Sequence, residues 1–151
     1  MIRTESRVWQ KLKTYGDRFT SLERVESPIT IGCSDVSYVG PSTSGWIELK
    51  TCNWPAPRKP IYLHAPFTLA QSNWLREHHD PEHNLHSYLL IAVVGARTWK
   101  EFLLIDPNPA TFLLAGWRGM AHERLLTKRG VRRCATLDDV VNVVTNRRRK
   151  A

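Results

Sequence analysis

The chain has 151 residues, 42% of them hydrophobic, enough for one core and about one domain. No window approaches the roughly 18 unbroken apolar residues of a membrane span, and "MIRTESRVWQ" has no apolar stretch behind its charges, so no secretory signal is expected. Lysine and arginine number 22 against 14 acids, a net charge of +8 that points to a polyanionic partner, foremost nucleic acid.

The basic residues are gathered. They stand at Arg58 and Lys59, in "TKRGVRR" with Lys128, Arg129, Arg132 and Arg133, and in the tail Arg147, Arg148, Arg149 and Lys150. A solvated basic surface with a loose tail is the plainer account of the same clusters. The three cysteines form no C-x-x-C pair and cannot all pair internally, which suits a reducing compartment and a cytoplasmic location.

In chain order, Val8, Trp9, Leu12 and Tyr15 recur at helical spacing from Glu5 onward, and Gly16 reads as the stop. Glu5 shares the face of Val8 and Trp9, so it is either a first-turn acid favoured by the helix dipole or a group aimed into a site. A short strand is expected over 19–26. "PITIGCSDVSYV" (28–39) and "WIELKTC" (46–52) read as a hairpin around "GPSTSG" (40–45). With a period of two, Trp46, Glu48, Lys50 and Cys52 share one face, and Ile47 and Leu49 take the other.

The proline-rich stretch 53–66 reads as a loop. A helix is expected from Thr68 to about His79, with Leu69, Trp74 and Leu75 as its apolar contacts. Strands follow at 87–95 and 99–106, the first nearly all apolar and so central. Two short helical stretches are expected near 110–117 and 119–128. "TLDD" at Thr136 resembles a capping box, opening a last helix with Leu137, Val140, Val141 and Val144 on its stripe.

The chemistry concentrates in the hairpin. A charge on a partly buried strand costs several kcal/mol unless it is paired or binds a metal. Two neighbouring carboxylates repel, and a divalent cation relieves that repulsion; Mg²⁺ takes one or two carboxylates and fills its other positions with water and phosphate oxygens. A lysine on the same face can then orient or deprotonate the attacking water and offset charge on the phosphate. Asp35, Glu48 and Lys50 therefore point to metal-assisted phosphodiester hydrolysis.

At these residues the chain resembles the PD-(D/E)XK nuclease superfamily. Asp35 matches the first acid and Glu48-Leu49-Lys50 the E-x-K. Glu5 falls where Holliday-junction resolvases of this group carry a first-helix acid. Gln71, in "FTLAQSNWL", is similar to the glutamine of the resolvase-like and VRR-NUC-like branches, including small phage proteins. Ser34 departs from the pattern, standing where the family usually has proline.

The resemblance covers about residues 1–106. It implies an α/β fold with a restriction-endonuclease-like core, a mixed central sheet flanked by helices, and extra C-terminal helices. The chain is then one domain over 1–151, with a helical extension over about 107–146 and a basic tail at 147–151. It also implies Mg²⁺, with Mn²⁺ as substitute, held by Asp35, Glu48 and Glu5, and Lys50 and Gln71 acting on the water. The implied activity is a DNA endonuclease, structure-selective in the manner of a junction resolvase and working as a homodimer or a higher even-numbered assembly.

Other readings stay open. A homing, restriction-type or flap-cutting enzyme shares the fold, and a basic DNA-binding module without hydrolysis would share the charge. Gln71 also stands fourth in a Thr68-to-Gln71 capping box. The last-helix valines and "FLLAGW" (112–117) offer either dimer surface or cover for the sheet. Zinc at the histidines of "HHDPEHNLH" (78–86) lacks ligand spacing on any one element.

Overall fold

A computed structural model describes residues 4–25, 32–54, 60–107 and 120–146. Helix α1 (Thr4–Leu12) buries Val8 and Leu12, as its apolar spacing dictates. Gly16 does not end the helical run. A 3-10 helix, Lys13–Arg18, carries through it, and the chain becomes extended only at Phe19. Arg18 explains the overrun: its guanidinium donates to Asn142 Oδ1 (2.6 Å) and Thr145 Oγ1 (3.3 Å), more than a hundred residues away. Tertiary contact overrides the local stop signal.

Three strands follow in antiparallel order: β1 (Ser21–Arg24), β2 (Val36–Val39) and β3 (Ser44–Asn53). The strand expected over 28–39 is thus shorter, since residues 32–35 are not strand and 28–31 lie outside the described residues. A two-residue strand, β4 (Pro60–Ile61), interrupts the proline-rich loop. Helix α2 (Leu69–Glu77) then leads to β5 (Tyr88–Val94) and β6 (Trp99–Ile105).

Of the stretch expected to be helical over 119–128, the described part begins as strand, β7 (Met120–Ala121), which pairs with β4. Only His122–Leu126, α3, is α-helix. The stretch near 110–117, with "FLLAGW", lies outside the described residues. The basic "GVRR" run supplies a strand, β8 (Val131–Cys134), and α4 (Leu137–Asn146) closes the described chain.

The fold is mixed α/β. One six-stranded mixed sheet, in the order β1-β2-β3-β5-β6-β8, is flanked by helices, and β3 and β5 form its parallel pair across the α2 connection. The region read as a helical extension therefore gives the main sheet an edge strand. β5 is central, with residues 88–93 all buried, as its unbroken apolar run requires.

The pleat divides the core. Ile47, Leu49, Tyr88, Leu90, Phe102 and Leu104 meet α1 and α4 on one side. Cys52, Leu89, Ile91, Val93, Leu103 and Ile105 meet Leu75 of α2 and Leu125 of α3 on the other.

The capping box at α4 forms: Thr136 Oγ1 accepts from Asp139 N (3.2 Å), and Asp139 Oδ2 accepts from Thr136 N (3.1 Å). Its valine stripe covers the sheet, because Val140, Val141 and Val144 are buried within one chain. It is not available to a second copy. Leu69, expected as an apolar contact of α2, is 67% exposed at the start of that helix.

Core and surface leucines should respond differently. Leu90→Ala is expected to lower unfolding free energy by about 2–5 kcal/mol. Leu69→Ala should stay within about 0.5 kcal/mol of the parent. Urea titration followed by tryptophan fluorescence measures both.

Candidate active site

The site begins where β2 starts. The β2–β3 ladder pairs Val36 with Ile47, and one residue further out Asp35 stands beside Glu48. There the Asp35 side chain replaces the backbone: its Oδ2 accepts from Leu49 N at 2.9 Å. Its own carbonyl accepts from Val25 N at 2.8 Å, tying it to the end of β1. Asp35 is half-buried and its carboxylate orientation is fixed by the sheet.

Glu48 and Lys50 project from the α2 side of β3, with 1% and 4% of their surface exposed. Lys50 Nζ lies 3.6 Å from Glu48 Oε1. Glu48 Oε2 is buried and, among the described residues, meets no hydrogen-bond donor. Burial pushes the Glu48 carboxyl up, and the Asp35 charge pushes it the same way. Lys50 offsets only part, and the group ends at about 9. At neutral pH Glu48 therefore holds its proton. The Cys33 thiol is likewise raised, by burial and by the charges of Glu48 and Asp35, so it stays a thiol beside the acids.

Two features hold the neighbourhood together. Gly32 has φ +82°, and a Cβ there would meet the Ala70 backbone at 2.5 Å, so the loop leading to Asp35 rests directly on the first turn of α2. Thr68 caps that helix: its Oγ1 accepts from Gln71 N (3.1 Å), while Gln71 Oε1 accepts from Thr68 N (3.0 Å). Gln71 is thus a capping residue, half-buried on the turn that the Asp35 loop touches.

Glu5 lies in the first turn of α1. Helix α1 packs on the Leu49 side of the sheet, opposite the side from which Glu48 and Lys50 project. Among the described residues, no group of three or more His, Cys, Asp or Glu side chains is gathered to hold a metal. The cation site would then consist of Asp35 and Glu48. Two carboxylates, one with a buried unpartnered oxygen, fit Mg²⁺, whose remaining positions go to water and phosphate oxygens.

The basic residues divide. Arg129 and Arg132 are exposed, and Lys128 is half-buried. Arg133 is exposed too, but its Nε donates to Glu101 Oε2, a carboxylate 3% exposed on β6. The β8 cluster lies three strands from β3, roughly 14 Å at about 4.8 Å per strand. Arg58, Lys59, Arg147, Arg148, Arg149 and Lys150 lie outside the described residues. Three of the four histidines of 78–86 are engaged locally: His78 Nδ1 with Trp74 O (2.7 Å), His79 Nδ1 accepting from Ser87 N (3.1 Å), and His83 with Asp80 (2.6 Å).

Two features escaped the sequence reading. Glu101 stands at period two from Leu103 and Ile105, so its inward direction was readable, but its partner required knowing that β8 pairs with β6. The other is an aromatic group on the Glu48 face, where Trp46 meets Trp74 edge-on at 5.5 Å and Trp74 stacks on His78 at 4.1 Å. Comparisons of the chain with family models, curated proteins and solved structures return no match. The site rests on its own residues.

The raised Glu48 carboxyl makes stability fall with pH. Its folded value of about 9 exceeds an unfolded value of about 4.3, so its stabilising effect is full below about pH 4 and is lost as pH rises through 9. In EDTA, Glu48→Gln should flatten this fall and melt several degrees above the parent at pH 9, with a smaller difference at pH 6. Melting curves across that range measure it. A gap that does not widen with pH would contradict the assignment.

Proposed function

We propose that the chain is a metal-dependent endonuclease that hydrolyses phosphodiester bonds in DNA. The observation that carries this reading is the Asp35–Glu48–Lys50 group, with Glu48 Oε2 buried beside a second carboxylate and, among the described residues, meeting no donor. Supporting it is the order of elements: a helix, a hairpin bearing both acids, a second helix and a strand parallel to the acid-bearing one. That is the order the PD-(D/E)XK resemblance implies for a restriction-endonuclease-like core.

In this reading Asp35 and Glu48 hold Mg²⁺, which when bound supplies Lewis-acid polarisation of a phosphoryl oxygen and a more acidic water. The chain's own residues do the rest. Leu49 N fixes the Asp35 carboxylate, so the site loses little to reorganisation. Lys50, desolvated on the same face, orients the attacking water and opposes the negative charge that builds on the phosphate. Gln71 keeps its cap through Oε1, which leaves its amide N–H groups as the donors it would offer to the nucleophile. Glu5 takes no direct ligand role.

Structure selectivity of the resolvase kind is the finer part of the proposal. Cutting two strands of a junction needs two such sites at fixed separation, hence a two-fold dimer. Its surface must lie away from the α4 valines, which the sheet already covers.

Asp35→Asn keeps shape but removes a charged ligand, so cleavage should fall by orders of magnitude with folding and DNA binding retained. Lys50→Ala should do the same while leaving metal uptake intact. Cleavage of linear, flapped and four-way-junction DNA in Mg²⁺, Mn²⁺ or EDTA reads both. No metal-dependent cutting of any form would leave the basic binding module as the better account.

The two β8 arginines should also separate. Arg132→Ala is expected to leave stability unchanged and to reduce the salt slope of DNA binding by about 0.9 if it contacts one phosphate. Arg133→Ala should cost about 1–3 kcal/mol, because it leaves the buried Glu101 carboxylate without its guanidinium. Fluorescence anisotropy against salt, beside urea unfolding, tells them apart.

A further inference from the structure

Trp46 precedes Glu48 by two residues on β3, so the two side chains leave the same face roughly 6.6–6.8 Å apart along the strand. From α2, Trp74 stands one turn after Gln71, and His78 follows one turn later at the helix C-cap. Trp74 and His78 are parallel layers, 4.1 Å between centroids and 18° between planes. Trp46 stands edge-on to both, at 5.5 Å and 89° from Trp74 and 5.9 Å and 73° from His78. The His78 ring is held in place by its Nδ1 contact to Trp74 O at 2.7 Å. All three rings are half-buried.

Packing alone does not account for this group. Trp74 Nε1 is buried and, among the described residues, meets no acceptor. Tryptophan usually finds a partner for that donor, and leaving it unmet is costly. A purely apolar cover for the sheet would have no use for the N–H. An apolar ligand would leave it unmet too. A nucleobase meets both demands, since it has a π-face to extend a stack and ring nitrogens or carbonyls at its edge to accept from the indole. A base inside a duplex has its faces and its edge already engaged, so only an unpaired one qualifies.

We propose that Trp46, Trp74 and His78 form a stacking surface for an unpaired base next to the scissile phosphate, so that the substrate is branched DNA with an unpaired base at the cut, whether in a flap, a fork or the opened centre of a junction. This rests on reading Asp35, Glu48 and Lys50 as the hydrolytic end of the same face. The strand passes the acids with its phosphate and turns one neighbouring base onto the aromatic group. Duplex without an unpaired nucleotide lacks that second contact.

The test uses 2-aminopurine, a fluorescent adenine analogue, placed either at the unpaired position of a forked DNA or inside a plain duplex. Lys50→Ala protein keeps the strands intact during binding. Binding should quench the unpaired probe and leave the paired one unchanged. Adding Trp74→Leu should abolish the quench and weaken fork binding about tenfold while duplex binding stays the same. In cleavage by otherwise native protein, Trp74→Leu should reduce the fork-over-duplex preference by a similar factor. Should Trp74→Leu fail to fold, Trp74→Phe keeps the ring and loses the N–H, and is expected to retain quenching with part of the affinity lost.

Quenching that survives in a folded Trp74→Leu protein, or equal cutting of fork and duplex, overturns the stacking site and leaves the nuclease reading standing. Trp74-dependent quenching in a protein that cuts no DNA with any metal keeps the base site and removes the hydrolytic reading.

Discussion

A carboxyl group placed inside an otherwise apolar sheet face resists ionisation, and Glu48 is such a group. Its charge would cost several kcal/mol without compensation, and the neighbouring Lys50 offsets only part of that. Asp35 makes the position harder, because a second negative charge is held beside it by the Leu49 amide. The protein keeps both acids in place by surrounding them with structure that does not yield: the central β3–β5 pair on one side and the Gly32–α2 contact on the other. Much of the fold's arrangement near β3 is intelligible as support for this one unfavourable pairing.

In the proposed reading, that tension sets a proton and a cation in competition for the site. A proton on Glu48 satisfies the desolvated oxygen at neutral pH, and a divalent ion would displace it, so metal affinity should rise with pH as the proton becomes easier to remove. The aromatic group two residues away belongs to the same surface but not to the same charge problem. One end of the face is specified by electrostatics and the other by ring geometry. A strand that engages both is constrained in position and in rotation at once.

The sheet was readable wherever the pattern of side chains is local. Alternation along 46–52 places Glu48 and Lys50 on one face, the apolar run 88–93 marks the central strand, and Thr136 with Asp139 announces α4. Other features depend on contacts between distant residues. Gly16 looked like a terminator until Arg18 reached α4. "GVRR" looked like surface charge, yet its edge position lets Arg132 and Arg133 alternate across the sheet while Cys134 is buried. Glu5 shares a helix stripe with Val8, but which face of the sheet α1 would cover is not encoded in that stripe. Gln71 carried two meanings in the sequence, and the hydrogen bonds establish its capping role.

The turn between the acid-bearing strands is fastened from far away. Thr43 Oγ1 donates to Val144 O at 3.1 Å, across 101 residues of sequence, and Gly40 lies against Thr145. During synthesis on a ribosome, Asp35 and Glu48 emerge long before the helix that anchors their turn. Contacts of such long sequence separation form late, after the loop-closure cost has been met. The hairpin bearing the acids therefore gains its last fastening only once Val144 has emerged, and a nascent chain carries the acids before it carries the finished site.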